Sequence, residues 1–116
     1  MNRKDCLNAL IHLDRSLDEI LSELNMHGWD SDVAIATIDR QHILQILNRY
    51  LKGDLTAEEV ERWADSLHVR EDVGYERGFE ELLREALFEL GNPFLTLPIC
   101  ADTAKLWIDR ISQIVE

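Results

Sequence analysis

The sequence predicts an all-α protein, a single-domain bundle of about five helices that spans residues 1–116. Three observations support this fold class. Apolar residues recur at intervals of three and four in several segments, which is the period of an amphipathic helix. Residues typical of helix ends and helix starts separate these segments, and the clearest boundary lies at Gly53. A chain of 116 residues is also long enough for one hydrophobic core without metals or disulfides.

The first helix is predicted from about Lys4 to Asn25, because one apolar stripe runs along this whole segment. The stripe consists of Cys6, Leu10, Leu13, Leu17, Ile20, Leu21 and Leu24. Polar and charged residues lie opposite, which is typical of a surface helix that buries one face. His12 falls outside the stripe, so we expect its side chain in solvent.

An irregular segment near 26–38 is predicted to follow. Gly28 and the acidic cluster from Asp30 to Asp32 indicate a loop, and the apolar run after them has no neighbouring segment with which to pair as a strand. We expect three apolar side chains of this segment to pack on the bundle, namely Trp29, Val33 and Ile35. Thr37 or Asp39 is expected to cap the next helix.

The boundary between the second and third helices is the strongest local signal. The second helix is predicted from about Arg40 to Lys52 and ends at Gly53, the usual residue type in the left-handed position just past a helix. Thr56 then begins the third helix. Glu59, three residues later, completes a capping box in which each side chain bonds to the other residue's backbone N–H.

The third helix is predicted from Ala57 to about His68. Its apolar face consists of Val60, Trp63, Ala64 and Leu67. The large ring of Trp63 is expected where the second and third helices cross. The next segment, from Val69 to Gly78, has two glycines and alternating charges, so we interpret it as an exposed loop or a bent helix start.

The fourth helix is predicted from about Phe79 to Leu90, with Gly91, Asn92 and Pro93 as its stop. An extended strap near 92–99 connects it to a last helix, which Asp102 or Thr103 begins and which reaches about Val115. The apolar face of that last helix is expected to contain Ala104, Trp107, Ile108, Ile111, Ile114 and Val115.

The net charge of −11 restricts the class of partner. Such an excess of carboxylates disfavours a nucleic acid or an anionic membrane surface and favours a basic protein. The charge is concentrated between Asp54 and Glu89. This segment contains twelve acidic and four basic residues, which together account for −8 of the net charge of −11. No apolar run is long enough for a membrane span, and the first residues do not form a secretion signal, so we expect a cytoplasmic protein.

Catalytic and cofactor signatures are weak. Cys6 lies on the buried stripe and Cys100 precedes a helix, so both are expected to be reduced structural thiols. Two acid-x-x-His pairs, Asp39 with His42 and Asp65 with His68, have the spacing that places metal ligands on one face of a helix. Both histidines fall beside their apolar stripes, whereas a site in a bundle needs inward ligands. We therefore expect no catalytic residue, metal or cofactor.

Phe88 is the clearest candidate for partner binding. It points away from the apolar face of the fourth helix and lies among charged residues, so it is either covered by the strap or anchors an interface. Tyr75, in the preceding loop, is a second candidate, with a capping and salt-bridge cluster as the structural alternative. The predicted partner-binding set is Arg70, Glu71, Asp72, Tyr75, Glu81, Arg84, Glu85 and Phe88.

The run from Tyr50 to Ala64 is similar to a hinge in small acidic helical bacterial proteins, including the colicin-D-type immunity family. The shared features are the glycine that ends one helix, a Leu-Thr pair and a glutamate-containing start of the next helix. The resemblance implies a protein that binds and blocks a cationic nuclease toxin. The greater length here and the segments Trp63–Ala64 and Arg70–Asp72 have no counterpart in that family. The run from Trp63 to Glu76 also resembles uncharacterised bacterial helical proteins, which implies no function.

The sequence therefore favours a non-enzymatic, acidic protein-binding module, an inhibitor or immunity-type partner of a basic protein. Two alternatives stay open. One is a metal-dependent helical-bundle enzyme that uses the acid-x-x-His pairs. The other is a structural subunit that forms a homodimer or a larger homo-oligomer.

Overall fold

A computed structural model of the chain describes residues 3–26, 36–68, 70, 72–95 and 98–112. These residues form eight elements: α1 (Arg3–His12), α2 (Leu17–Asn25), β1 (Ala36–Ile38), α3 (Arg40–Leu51), α4 (Ala57–His68), β2 (Val73–Tyr75), α5 (Glu80–Gly91) and α6 (Ala101–Ser112). The radius of gyration is 13.6 Å, close to the ~13 Å of a compact domain of similar length. The prediction of a mostly helical, single globule is confirmed, and a small sheet is added to it.

The helix predicted from Lys4 to Asn25 is in fact two helices, because the chain turns at Leu13. This residue has a φ of 48°, and the amides of Leu13 and Asp14 donate back to Leu10 O and Ala9 O at 3.2 and 3.4 Å. That pattern is the Schellman helix ending, which usually has glycine at the left-handed position. Leu13 occupies it here although a left-handed leucine costs about 1–2 kcal/mol.

Two features stabilise this turn. The Leu13 side chain is buried, and Nη1 of Arg49 on α3 donates to His12 O at 3.1 Å and to Leu13 O at 2.9 Å. The guanidinium thus satisfies terminal carbonyls of α1. Leu17, beyond the turn, is also buried, so the apolar stripe continues across the break and conceals it in the sequence.

The sheet corrects two predictions. We predicted that the segment near 26–38 lacks a strand partner and that residues 69–78 form an exposed loop or a bent helix start. Instead, β1 in the first segment pairs in parallel with β2 in the second. Ala36 lies opposite Val73 and Ile38 opposite Tyr75. Parallel strands require a long crossover, which α3 and α4 provide here. The predicted packing residues Trp29, Val33 and Ile35 lie outside the described residues.

Asp39 caps α3, so the second of the two predicted cap residues, Thr37 and Asp39, is the correct one. Its Oδ1 accepts from the backbone N–H of His42 at 3.0 Å, and its own N–H donates to Nδ1 of His42 at 2.9 Å. Histidine therefore fills the place that glutamate or glutamine usually takes in a capping box. Thr37, the other candidate, is an exposed residue of β1.

The predicted boundary at Gly53 is confirmed. Gly53 has a φ of 88° and donates to Tyr50 O at 3.0 Å, while Asp54 donates to Arg49 O at 2.9 Å. The capping box of α4 is also present. Thr56 N–H donates to Glu59 Oε1 at 2.9 Å, and Glu59 N–H donates to Thr56 Oγ1 at 3.1 Å.

Trp63 lies at the centre of the core and is fully buried. Its Nε1–H donates to Leu10 O at 2.8 Å, so the indole links α4 to α1 in addition to packing in the core. The whole predicted face of α4 is buried, as are Ala104, Trp107 and Ile111 of α6. The predicted residues Ile114 and Val115 lie outside the described residues.

Gly91 has a different role from the predicted helix stop. It is the last residue of α5, and a Cβ placed on it would lie 3.0 Å from Asp65 N and 3.1 Å from Asp65 Cα. The missing side chain therefore lets the backbones of α4 and α5 approach closely. Because Gly91 adjoins Asp65 and Phe88 adjoins His68, the two helices are antiparallel.

The predicted extended strap near 92–99 begins with a turn instead. Leu95 N–H donates to Asn92 O at 2.9 Å, which closes residues 92–95 on themselves. Helix α6 begins at Ala101, slightly earlier than predicted. Thr103 participates in its start, because Cys100 N–H donates to Thr103 Oγ1 at 2.9 Å.

Candidate protein-binding site

The solvent-facing side of α5 carries four of the predicted binding residues. Glu81, Arg84, Glu85 and Phe88 follow the spacing of one helical stripe, and all four are exposed. We call these four residues the α5 stripe. The opposite side of the helix packs on the core through Leu83, Ala86, Leu87 and Leu90. The alternation of buried and charged residues along α5 therefore places the stripe on the surface.

Phe88 is 39% exposed, so the prediction that it points away from the core agrees with its position. The covered part of the ring faces His68 on α4, with ring centroids 5.5 Å apart and planes inclined by 55°. At the end of α5, Asn92 Nδ2 donates to the backbone carbonyl of Phe88 at 2.8 Å. The contact with His68 restricts the ring on one side, and the rest of its surface remains in water.

Tyr75 is half-buried at the end of β2, and the guanidinium of Arg84 lies over its ring at 4.9 Å. Burial raises the pKa of the Tyr75 phenol, and the positive charge of Arg84 opposes this effect. The contact restricts the Arg84 side chain, so the cation of the stripe is held over the ring of Tyr75, which borders the stripe.

Arg70 and Asp72 are an internal ion pair. Nε and Nη2 of Arg70 donate to Oδ1 and Oδ2 of Asp72 at 2.8 and 3.0 Å, and Asp72 is completely buried. Asp72 thus supports the start of β2, where its carbonyl also accepts from Ala36 N–H at 3.3 Å, and it presents no surface to a partner. Glu71 lies outside the described residues.

Helix α6 adds a cation that the sequence reasoning missed. Arg110 lies with Nη1 and Nη2 at 3.4 Å from the two carboxylate oxygens of Glu85, and its guanidinium covers the Trp107 ring at 4.2 Å. Burial, together with the neighbouring Glu85, raises the pKa of Glu89. Glu89 and Arg110 therefore border the stripe on this side, next to Glu85.

Five of the predicted partner-binding residues thus lie on α5 or beside it. Arg70 and Asp72, in contrast, form an internal ion pair. His68 and Arg110 complete the surroundings of the stripe. No local pattern connects Arg110 to Glu85, because they lie 25 residues apart on different helices. The Asp65-x-x-His68 spacing singled out His68 in the sequence as a possible metal ligand. It did not predict that His68 lies beside the ring of Phe88.

The first of the two acid-x-x-His pairs has a structural role in the fold. Asp39 and His42 form the capping box of α3, and burial lowers the pKa of His42. His68 faces Phe88 on α5. Within the described ranges, no three histidine, cysteine or acidic side chains lie close enough together to hold a metal ion.

The two cysteines lie apart. Cys6 is buried, and Cys100 is partly exposed at the start of α6. The backbone amide and the hydroxyl of Thr103 hold the pKa of the Cys100 thiol below its usual value. This environment resembles other helix starts, where amide dipoles stabilise a negative sulfur.

No protein-family model, curated protein or solved structure matches this chain. Among the described helices, none is both long and apolar enough to cross a membrane.

Proposed function

We propose that this chain is a non-enzymatic protein-binding module that docks a basic protein on the α5 stripe. The observation that carries the proposal is Phe88, an aromatic side chain held 39% exposed between charged neighbours on a well-packed helix. Aromatic residues, phenylalanine among them, are enriched in the buried cores of protein interfaces. The net charge of −11 favours a partner of opposite sign.

Each part of the surface has a physical task in this proposal. Phe88 supplies the apolar area that becomes buried on binding. Glu81 and Glu85 supply negative charge that accelerates encounter with a basic surface and excludes acidic ones. The contacts of Phe88 with His68 and of Arg84 with Tyr75 reduce the side-chain entropy lost on binding.

We further propose that the module inhibits its partner, as the similarity of the hinge from Tyr50 to Ala64 to the colicin-D-type immunity family implies. In this role the hinge sets the position of α4, and α4 in turn supports α5 through Gly91 and His68. A basic nuclease is the corresponding class of target.

A photo-crosslinking experiment tests the surface. The crosslinker p-benzoylphenylalanine replaces Phe88 in one variant and the exposed Gln45 of α3 in a control. In cells that express the chain, we expect position 88 and not position 45 to capture one protein, which mass spectrometry identifies and whose net charge is positive. Equal capture at both positions, or an acidic captured protein, would refute the proposal.

The purified pair then tests the energetics. We expect Phe88→Ala to weaken binding about tenfold or more, and charge reversal at Glu81 and Glu85 to slow association at low salt. Binding should also weaken between low and physiological ionic strength. Loss of the partner's activity on addition of the module tests inhibition separately from binding.

A further inference from the structure

A cleft of about 340 Å³ lies between the first turns of α4 and four residues beyond α5, namely Pro93, Phe94, Pro98 and Ile99. Its apolar lining comes from Ala57, Pro93, Pro98 and Ile99. The antiparallel arrangement of α4 and α5 explains the location, because the chain that leaves α5 at Gly91 continues alongside the N-terminal half of α4. The cleft shares no residue with the α5 stripe.

Phe94 borders this cleft and is 96% exposed, more than any other large apolar residue among those described. The backbone accounts for this position, because the turn closed by Leu95 N–H and Asn92 O projects the residue outward. An aromatic ring with nearly all its surface in water provides apolar area that a ligand can cover.

Two carboxylates, Glu58 and Glu61, lie on the opposite border. They are three residues apart on α4 and so point the same way. Across the described ranges, neither one accepts a hydrogen bond or forms an ion pair, in contrast to Glu23, Glu76 and Glu85. The cleft therefore joins an uncovered aromatic ring to two carboxylates that form no ion pair within the described residues. Arg62 lies close enough to Glu58 to interact with its charge, but it bonds to Asp18 instead.

At two other places in this fold, an arginine contacts both an aromatic ring and a carboxylate. Arg40 lies 3.8 Å above the Phe79 ring while its guanidinium bonds to the Glu76 carboxylate. Arg110 covers the Trp107 ring at 4.2 Å and faces Glu85. Both sites pair the flat face of a guanidinium with an aromatic ring and its edge with a carboxylate. At Phe94 the ring and the carboxylates are present and the chain supplies no guanidinium within the described residues.

We propose that this cleft binds an extended segment of a partner protein that presents an arginine or lysine beside an apolar side chain. The cation would stack on Phe94 and bond to Glu58 and Glu61, and the apolar side chain would occupy the floor. The volume of about 340 Å³ lies at the lower end of the ~300–1,000 Å³ range of ligand pockets, so we take one or two side chains as its occupants. Pro93 and Pro98 have no N–H to offer to an added strand, so recognition depends on side chains.

A random heptapeptide phage library is the probe. The immobilised full-length protein is expected to enrich peptides that contain arginine or lysine next to leucine, isoleucine or an aromatic residue. A synthetic peptide of the enriched sequence is then measured by fluorescence anisotropy. In ¹⁵N-labelled protein, the peptide should shift the amides of Ala57 to Glu61 and of Ile99 and leave those of the α5 stripe unchanged.

Matched variants separate this cleft from general charge and hydrophobicity. Phe94→Ala should weaken peptide binding about tenfold, whereas Leu95→Ala, next to it and 73% exposed, should leave binding within twofold. The double substitution Glu58→Gln with Glu61→Gln should weaken binding about fivefold or more. The same charge change in the α5 stripe, Glu81→Gln with Glu85→Gln, should have less than a twofold effect.

Three results would overturn the proposal: no enrichment above uncoated beads, an enriched sequence without a basic residue, or equal losses in the two glutamine pairs. None of these results refutes the proposed binding of a basic protein at the α5 stripe, because crosslinking at position 88 is measured independently. Conversely, a failure of crosslinking at position 88 leaves the peptide result at the cleft intact.

Discussion

Arg40 and Glu76 are joined by three hydrogen bonds although they lie 36 residues apart. Nε and Nη2 of Arg40 donate to Oε1 and Oε2 of Glu76 at 2.9 Å each, and the backbone N–H of Arg40 donates to the same Oε1 at 3.1 Å. Glu76 N–H in turn donates to Ile38 O at 2.9 Å. One carboxylate thus connects the end of β2 to the start of α3 and satisfies a terminal amide of that helix.

Replacement of this carboxylate should be costly. We expect Glu76→Gln to lower the free energy of unfolding by about 1.5–3 kcal/mol, because charge-assisted bonds to a part-buried arginine are lost. Urea unfolding at pH 7 measures the effect. Glu81→Gln, which removes an exposed carboxylate, is the control and should change stability by less than about 0.5 kcal/mol.

The contribution of Glu76 should depend on pH. Its hydrogen bonds with Arg40 lower the pKa of the Glu76 carboxyl in the folded state. The folded state therefore releases this proton more readily than the unfolded state, and the stabilisation is present above the unfolded pKa of about 4.3 and lost as the pH falls through the folded value. The difference in stability between the wild type and Glu76→Gln should be constant from pH 7 to 5.5 and shrink below pH 4. A difference that grows on acidification would contradict this assignment.

His42 should make stability depend on pH in a higher range. Burial lowers its pKa, the charges of Asp39 and Glu76 oppose this, and His12, whose ring lies 4.8 Å away, adds to it. In the capping box Nδ1 accepts from Asp39 N–H, which requires an unprotonated nitrogen. A lowered folded pKa means that stability present above the unfolded pKa of about 6.5 is lost as the pH falls.

The variant His42→Gln tests this dependence, because glutamine can complete a capping box without titrating. We expect the free energy of unfolding of the wild type to decrease between pH 7.5 and 5.5, and that of His42→Gln to change less over the same interval. NMR titration of the His42 ring provides a direct measurement. A midpoint above 6.5, or parallel slopes for the two proteins, would rule out the lowered pKa.

Gly91→Ala should destabilise the protein, contrary to the usual effect of this substitution within a helix. Alanine normally stabilises a helix by about 0.5–1 kcal/mol relative to glycine. Here the new Cβ would lie 3.0 Å from the Asp65 backbone, which would have to shift by a few tenths of an ångström in a packed helix pair, at a cost of about 1–3 kcal/mol. Chemical denaturation should show a net loss. Unchanged or increased stability would mean that the helix pair adjusts without cost.

Trp63→Phe should reduce stability by about 1–3 kcal/mol even though the new side chain remains aromatic. The substitution removes the Nε1–H bond to Leu10 O and leaves unfilled space in a fully buried site. Thermal unfolding followed by circular dichroism measures the loss. Trp107→Phe on α6, which is buried as well, gives a comparison in which the link between α4 and α1 remains intact.

Much of the local structure could be predicted from the sequence, because its determinants lie within a few residues. The end of α3 at Gly53 and the capping box of Thr56 and Glu59 are interactions between residues at most five positions apart. The buried faces of α4 and α5 follow from the helical period in the same way. The exposure of the α5 stripe belongs to this class, since a helix with one apolar face must turn the other to solvent.

The features that were missed depend on residues far apart in the chain. Leu13 adopts a left-handed conformation because Arg49 binds the carbonyls there, and β1 exists because β2 reaches it across two helices. Asp72 is buried at the start of β2, where its carbonyl accepts from the backbone N–H of the distant Ala36. In each case the local sequence permits several conformations, and contacts formed only after folding select one of them.

The sequence by itself determined a mostly helical, acidic protein with an aromatic residue on the charged side of its fourth predicted helix. Only the tertiary structure decided what surrounds that residue and where a second surface lies. His68 and Arg110 reach the α5 stripe from α4 and α6. Phe94 borders the same cleft as Glu58 and Glu61, because the antiparallel arrangement of α4 and α5 brings the chain after α5 alongside the start of α4. Helical periodicity specifies which side of a helix faces outward, whereas helix packing specifies its neighbours.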